Sequence, residues 1–184
     1  MARLFFVSGP CGCGKSTFAD EYARHLVRQE HQTVYVIHGD TFHDGFTEPE
    51  DKGDFFTDGK PSEQVTWERI LQFNWDCIID TAEKALRMGM DVVIDYVIET
   101  EMPRVKALAQ RCGAELYYIV LMAGEAELEA RIRRRGDVDM IERALFLKKE
   151  LAEMPENQGH FFDNSHRTAE ESVREIDPEQ FRMR

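Results

Sequence analysis

Eight residues near the start of the chain, Gly9-Pro10-Cys11-Gly12-Cys13-Gly14-Lys15-Ser16, satisfy the pattern G-x-x-x-x-G-K-[ST] at every fixed position. Each fixed residue has a physical task. Glycines let the backbone turn until successive N–H groups converge on one point, where they meet phosphate oxygens. A helix starting there adds the positive end of its dipole to the same point. Lys15 then reaches terminal phosphates, and the Ser16 hydroxyl is placed to ligate Mg²⁺. The pattern has this meaning only between a strand and a helix, and both are expected here. Residues 3–8 form a short apolar run ended by Gly-Pro, and residues 15–28 carry Phe18, Ala19, Tyr22, Ala23 and Leu26 at helical spacing. Residues 9–17, through Thr17, are therefore read as a binding loop for ATP with Mg²⁺.

The rest of the chain alternates in the same way. Strands are expected at 33–37, 91–95, 115–122 and 160–163, and helices at 67–88, 102–111, 126–135, 139–153 and 169–176. On the helix over 67–88, Ile70, Phe73, Cys77, Ile78, Ala82 and Leu86 are expected on the apolar side. Trp67 and Trp75, eight positions apart, roughly share a face there, with core packing expected for both and a place in a pocket wall open to Trp67. Residues 44–61, rich in Gly, Asp, Glu and Pro, read as loop. Alternation of this kind predicts a parallel sheet covered on both faces.

At 184 residues the chain has the length of one domain, and 42% hydrophobic residues suffice for a core. No apolar run approaches the ~20 residues of a membrane helix. The N-terminus lacks the long apolar region and cleavage site of a signal peptide, so a cytoplasmic location is expected. A net charge of −12 argues against a nucleic-acid polymer as partner. Cys11, Cys13, Cys77 and Cys112 match no zinc spacing and read as free thiols.

The phosphate loop, together with Gly39-Asp40-Thr41-Phe42-His43, Asp91-Val92-Val93-Ile94-Asp95-Tyr96 and the cluster from Arg131 to Arg135, resembles the small P-loop kinases. These include gluconate, shikimate and nucleoside-monophosphate kinases, and the resemblance is greatest to the gluconate-kinase-like group often described as AAA-type ATP-binding proteins. It spans nearly the whole chain, with only the phosphate loop highly specific. It implies an α/β, three-layer α/β/α P-loop NTPase fold with a five-stranded parallel sheet and a short helical lid. Residues 1–184 would then form a single kinase domain, with a substrate-side insertion at about 41–66 and the lid at about 131–145.

Ligands of open α/β sheets sit beyond the carboxyl ends of the strands. Asp40, directly after the second strand, is expected there as the group that accepts or orients the proton of an attacking hydroxyl. Its alternative is a turn or a helix cap. Asp95, ending the third strand, resembles the second acidic site of P-loop enzymes, which serves Mg²⁺; its alternative is to cap a loop. The residues leave open which of the two is base and which serves the metal, and Asp40 is favoured as base. A Gly-Asp-x-x-His segment lies by the acceptor in gluconate-kinase-like proteins, which implies acceptor contact for His43. Arg131 and Arg135 share a helix face. By the pattern of nucleotide kinases Arg131 stacks on the base and Arg135 meets the transferring phosphate, with Arg143 as a second lid arginine. The alternative is a basic helix end pairing with Glu127 and Glu129. In related kinases the loop at Asp163-Asn164-Ser165-His166 touches the adenine edge, mostly by backbone.

The chain has no arginine between Arg28 and Arg69, while the segment after Asp40 is acidic and carries interleaved phenylalanines. That disfavours a phosphorylated or anionic acceptor, unless Arg69 or Arg104 enters the pocket. The expected function is ATP-dependent phosphorylation of a small-molecule hydroxyl, on a sugar acid, sugar or amino sugar, by a monomer or homodimer. A nucleoside or nucleotide kinase, an antibiotic- or toxin-type phosphotransferase, and an ATPase or switch without an acceptor are the alternatives.

Overall fold

Five strands align in parallel in the order β2-β3-β1-β4-β5. They are β1 (Arg3–Ser8), β2 (Val34–His38), β3 (Asp91–Asp95), β4 (Glu115–Leu121) and β5 (Phe161–Phe162). The structure is a computed structural model and describes residues 1–46 and 66–183. Most of the expected insertion at 41–66, including Glu48, Glu50, Asp54, Phe55 and Phe56, lies outside the described residues. Six α-helices connect and cover the strands among the described residues: α1 (Lys15–Glu30), α2 (Trp67–Arg87), α3 (Met102–Cys112), α4 (Glu125–Arg135), α5 (Ile141–Glu153) and α6 (Ala169–Glu175).

The order follows from burial. β1 and β3 are apolar on both faces and lie inside the sheet, whereas Tyr35 on the edge strand β2 is 44% exposed. Alternate residues serve two cores. Leu4, Phe6, Val92 and Ile94 pack under α2 and α3, where Trp75 stacks on Phe6. Phe5, Val7 and Val93 pack under α1 with Phe18, Tyr22 and Leu26. Each such side chain contributes about 1.5–3 kcal/mol by leaving water.

The sheet's amino-terminal edge is fastened by Arg3, whose backbone N–H and guanidinium both donate to the buried Asp91 carboxylate. Arg3 also pairs with Glu30 at the end of α1. Two details depart from the sequence pattern. β5 is only two residues long, because it pairs only with the end of β4. The first half of β4 meets the C-terminal segment instead, in an antiparallel bridge between Tyr117 and Arg182. Phe73, expected in the core, is 46% exposed, and Asn74 is buried in its place. Phe73 sits at the margin of the apolar face, edge-on to Phe46 after β2, with ring centroids 5.3 Å apart. No helix among the described residues is long and apolar enough to cross a membrane.

Candidate active site

β1, β2 and β3 all end at the same edge, and their last residues are brought into register. Val7 is level with Asp95, and Asp95 with His38. Residues level across a sheet point to the same face, here the face under α1. The loop after β1 returns the chain to the start of α1 through three glycines of positive φ, at Gly9, Gly12 and Gly14. Gly12 has no alternative: at φ +75°, a Cβ there would lie 2.5 Å from Ile132 Cγ1 on α4. Gly14 is the N-cap of α1 and offers no side-chain oxygen. The first-turn amides that any helix leaves unpaired are thus left to whatever sits in the loop.

Lys15 Nζ curls over the loop and donates to the carbonyls of Gly9 (3.0 Å) and Pro10 (3.1 Å). Its ammonium is held above the ordinary lysine value. Desolvation opposes the charge, and Cys13, Cys11, Asp40 and Asp95 outweigh it. Ser16 Oγ donates to Asp95 Oδ2 at 2.5 Å. Asp95 is 4% exposed, and its other oxygen meets His38 Nδ1 at 2.6 Å. Burial raises the Asp95 carboxyl above the usual aspartate value, against the opposing hydrogen bond from Ser16 and the neighbouring His38.

A carboxyl raised by folding favours the protonated native protein. Its stabilising contribution is present below the ordinary aspartate value and is lost as pH rises through the raised one. Asp95→Asn is therefore expected to melt above the unsubstituted protein at neutral pH when no ligand is added. The difference should shrink toward acid, as read by thermal melts across pH; equal melting temperatures at every pH would contradict it.

Asp40 lies in a one-turn 3-10 helix, Gly39–Phe42, directly after β2. Its exposed carboxylate caps nothing and makes no hydrogen bond or ion pair among the described residues. Gly39 permits the turn by close approach: a Cβ there would lie 2.3 Å from the Tyr96 ring. His43 Nδ1 meets Asn74 Nδ2 at 2.8 Å, and Asn74 also donates to Tyr96 Oη at 3.1 Å. The half-buried Trp67 approaches the His43 ring edge-on, at 5.9 Å between centroids.

The arginines separate. Arg131 is drawn beneath the phosphate loop, its guanidinium donating to Cys13 O (2.9 Å), Asn164 O (3.0 Å) and Glu127 (2.7 Å). Asn164 Nδ2 adds a second donor to Cys13 O at 2.7 Å, while its buried Oδ1 has no partner among the described residues. Arg135 and Arg143 stand apart from this cluster. Arg135 pairs with Asp137 past the helix end, and Arg143 with Glu99 in the loop after β3. Arg133 pairs with Glu129, as a basic helix end would. Arg104 pairs with Asp76 between α2 and α3.

Sequence reasoning passed over His38, Asn74 and the side chain of Asn164. His38 carried one signal, its place directly before Gly39-Asp40. The other two depend on contacts between distant segments.

The arrangement suits a nucleotide triphosphate and a hard divalent cation. Open amides and a lysine meet at the helix end, beside a hydroxyl and one carboxylate. Among the described residues no cluster of three or more His, Cys, Asp or Glu side chains could hold a metal alone. Mg²⁺ is characteristically held by one or two protein oxygens together with substrate phosphates.

The AAA domain family matches residues 4–155. The fold is shared with a gluconokinase from Sinorhizobium meliloti 1021 at 20% identity, covering 94% of this chain and 87% of that one, with a TM-score of 0.55. It is shared with the APS kinase of Mycobacterium tuberculosis, in complex with AMPPNP and APS, at 16% identity, 95% and 94% coverage and a TM-score of 0.62. The Deinococcus radiodurans tunicamycin resistance protein is similar at 15% identity, 95% and 92% coverage and a TM-score of 0.59. No curated protein matches the chain in sequence.

Proposed function

The chain belongs to the AAA domain family, and from that membership we propose that it is a cytoplasmic kinase moving the γ-phosphate of ATP to a hydroxyl of a small molecule. One observation carries the reading. Lys15, Ser16, Asp95 and Asp40, whose carboxylate has no partner among the described residues, all gather at the carboxyl ends of three adjacent strands. A pure ATP switch has no use for a free carboxylate at that point. The fold shared with a gluconokinase and an APS kinase supports the same choice.

In this proposal residues 9–17 bind the phosphates through their amides, with Lys15 directed at the transferring group. Ser16 and Asp95 hold Mg²⁺, which neutralises charge developing on the phosphate oxygens. Arg131 braces the loop from below and lines the nucleotide side. Asp40 accepts the proton of the acceptor hydroxyl, and His43 and Trp67 flank the acceptor. Residues 131–145 act as a lid within one domain, 1–184. On closure Arg143 leaves Glu99, and Arg135 turns from Asp137 toward the phosphates.

The acceptor is neutral or cationic. Arg104 is engaged with Asp76, and Asp40, Glu99 and Glu101 all lie near Tyr96. The test is ADP release from Mg·ATP against a panel of neutral sugars, amino sugars, sugar acids and nucleoside monophosphates. Release is expected to depend on the acceptor and to be greatest with a neutral or amino sugar. Turnover equal with and without every acceptor would make the protein an ATPase, and a response to monophosphates alone would make it a nucleotide kinase.

A further inference from the structure

The pairing of β2 with β3 brings two chemically unlike groups into one row. His38 and Asp95 are level across the strands and point to the same face. Above them, Ser16 and Asp20 lie four residues apart on α1 and so share one side of that helix. The two pairs match. Ser16 Oγ meets Asp95 Oδ2 at 2.5 Å, and Asp20 Oδ1 meets His38 Nε2 at 3.3 Å. His38 Nδ1 closes the set against Asp95 Oδ1 at 2.6 Å.

The environment explains why such a set is needed. The Asp95 side chain is 4% exposed. A buried carboxylate requires a donor for each oxygen, because an oxygen left bare keeps its full desolvation penalty. Oδ2 has Ser16, and Oδ1 has His38. An ionised carboxylate only accepts, so the ring nitrogen is the donor. Elsewhere on this face β2 carries Val34 and Val36, so packing under α1 needs no imidazole.

We propose that His38 is a positioning residue for Asp95, fixing Oδ1 through Nδ1–H so that Oδ2 stays directed at Ser16 and the divalent cation beside it. This rests on the proposed Mg²⁺-dependent kinase reading. Asp20 steadies the ring from its far side. Without the His38 donor, the Asp95 carboxylate rotates toward another partner and the cation position loses its shape. Donors placed behind a metal ligand typically govern about 10–100-fold in metal affinity.

The experiment uses amide isosteres. The side-chain N–H of asparagine falls near Nδ1 of the histidine it replaces, and that of glutamine near Nε2. Mn²⁺ binding to the full chain in the presence of ADP is measured by electron paramagnetic resonance, with metal-free ADP affinity and melting temperature measured beside it. His38→Asn is expected to keep most of the Mn²⁺ affinity. His38→Gln and the donor-free His38→Leu are expected to lose about 10–100-fold, with metal-free ADP affinity unchanged in all three. Equal Mn²⁺ affinity in all three variants overturns the proposal. So does rescue by glutamine and not asparagine, which would mark a mere tie from β2 to Asp20. If the leucine variant does not fold, the asparagine–glutamine order decides alone. Ser16→Ala separates the two levels of inference. Weakened Mn²⁺ binding in Ser16→Ala with none in His38→Gln sinks only the role of His38, whereas no Mn²⁺ effect from Ser16→Ala sinks the metal site itself.

Discussion

Asp40→Asn is expected to abolish nearly all phosphorylation of the acceptor while leaving nucleotide binding in place. The substitution keeps the size and removes the ability to take a proton. General-base catalysis of this kind contributes about 10²–10⁴-fold, and the loss should fall on kcat with the KM for ATP unchanged. The fold gives this test unusual clarity. Asp40 is exposed, and its carboxylate holds no hydrogen bond or ion pair among the described residues. Replacing such a group usually changes stability by no more than about 0.5 kcal/mol, so the melting temperature should not move. Steady-state rates with the best acceptor, and melts with and without an ATP analogue, check both halves. An unchanged kcat would remove Asp40 from the chemistry.

Lys15→Met should be as severe, by a different route. Methionine keeps most of the length and loses the charge. A preorganised donor aimed at developing charge is worth about 10²–10³-fold in rate. Because Lys15 also bonds the Gly9 and Pro10 carbonyls, its loss loosens the loop even before ligand arrives. Two signatures are therefore expected together: a collapse of turnover, and a smaller upward shift of melting temperature on adding Mg·ADP than the unsubstituted protein shows. The ligand-induced shift separates this variant from Asp40→Asn, in which it is retained. Full turnover by Lys15→Met would remove the central assumption about the loop.

The phosphate loop was legible because its chemistry is local. Three glycines, one lysine and one serine lie within eight positions, and the strand and helix around them follow from spacing alone. The parallel sheet was legible for the same reason, since each strand announces itself by a short apolar run. The surroundings of the loop were harder to read. Phe73 and Asn74 are neighbours on α2, and helical spacing favoured the aromatic residue for the core. The buried position belongs to Asn74 because His43 and Tyr96, from two other segments, meet it there. Arg131 was expected to stack on the base, and its drawing toward Cys13 O depends on where α4 crosses the loop. His38 fell just past the strand expected at 33–37, and only the register of β2 against β3 set it beside Asp95.

The carbonyl of Cys13 has a consequence for the making of the protein. It is held by Arg131, 118 residues downstream, and by Asn164, 151 residues downstream. The glycine loop is thus written in residues 9–17 and finished by side chains more than a hundred positions further along. Contacts so distant in sequence form late, because a long loop must close first. On a ribosome, a nascent polypeptide stopped short of Asn164 would display the whole glycine signature and still lack the brace that gives it shape. The loop would take its braced form only after Asn164 had been made.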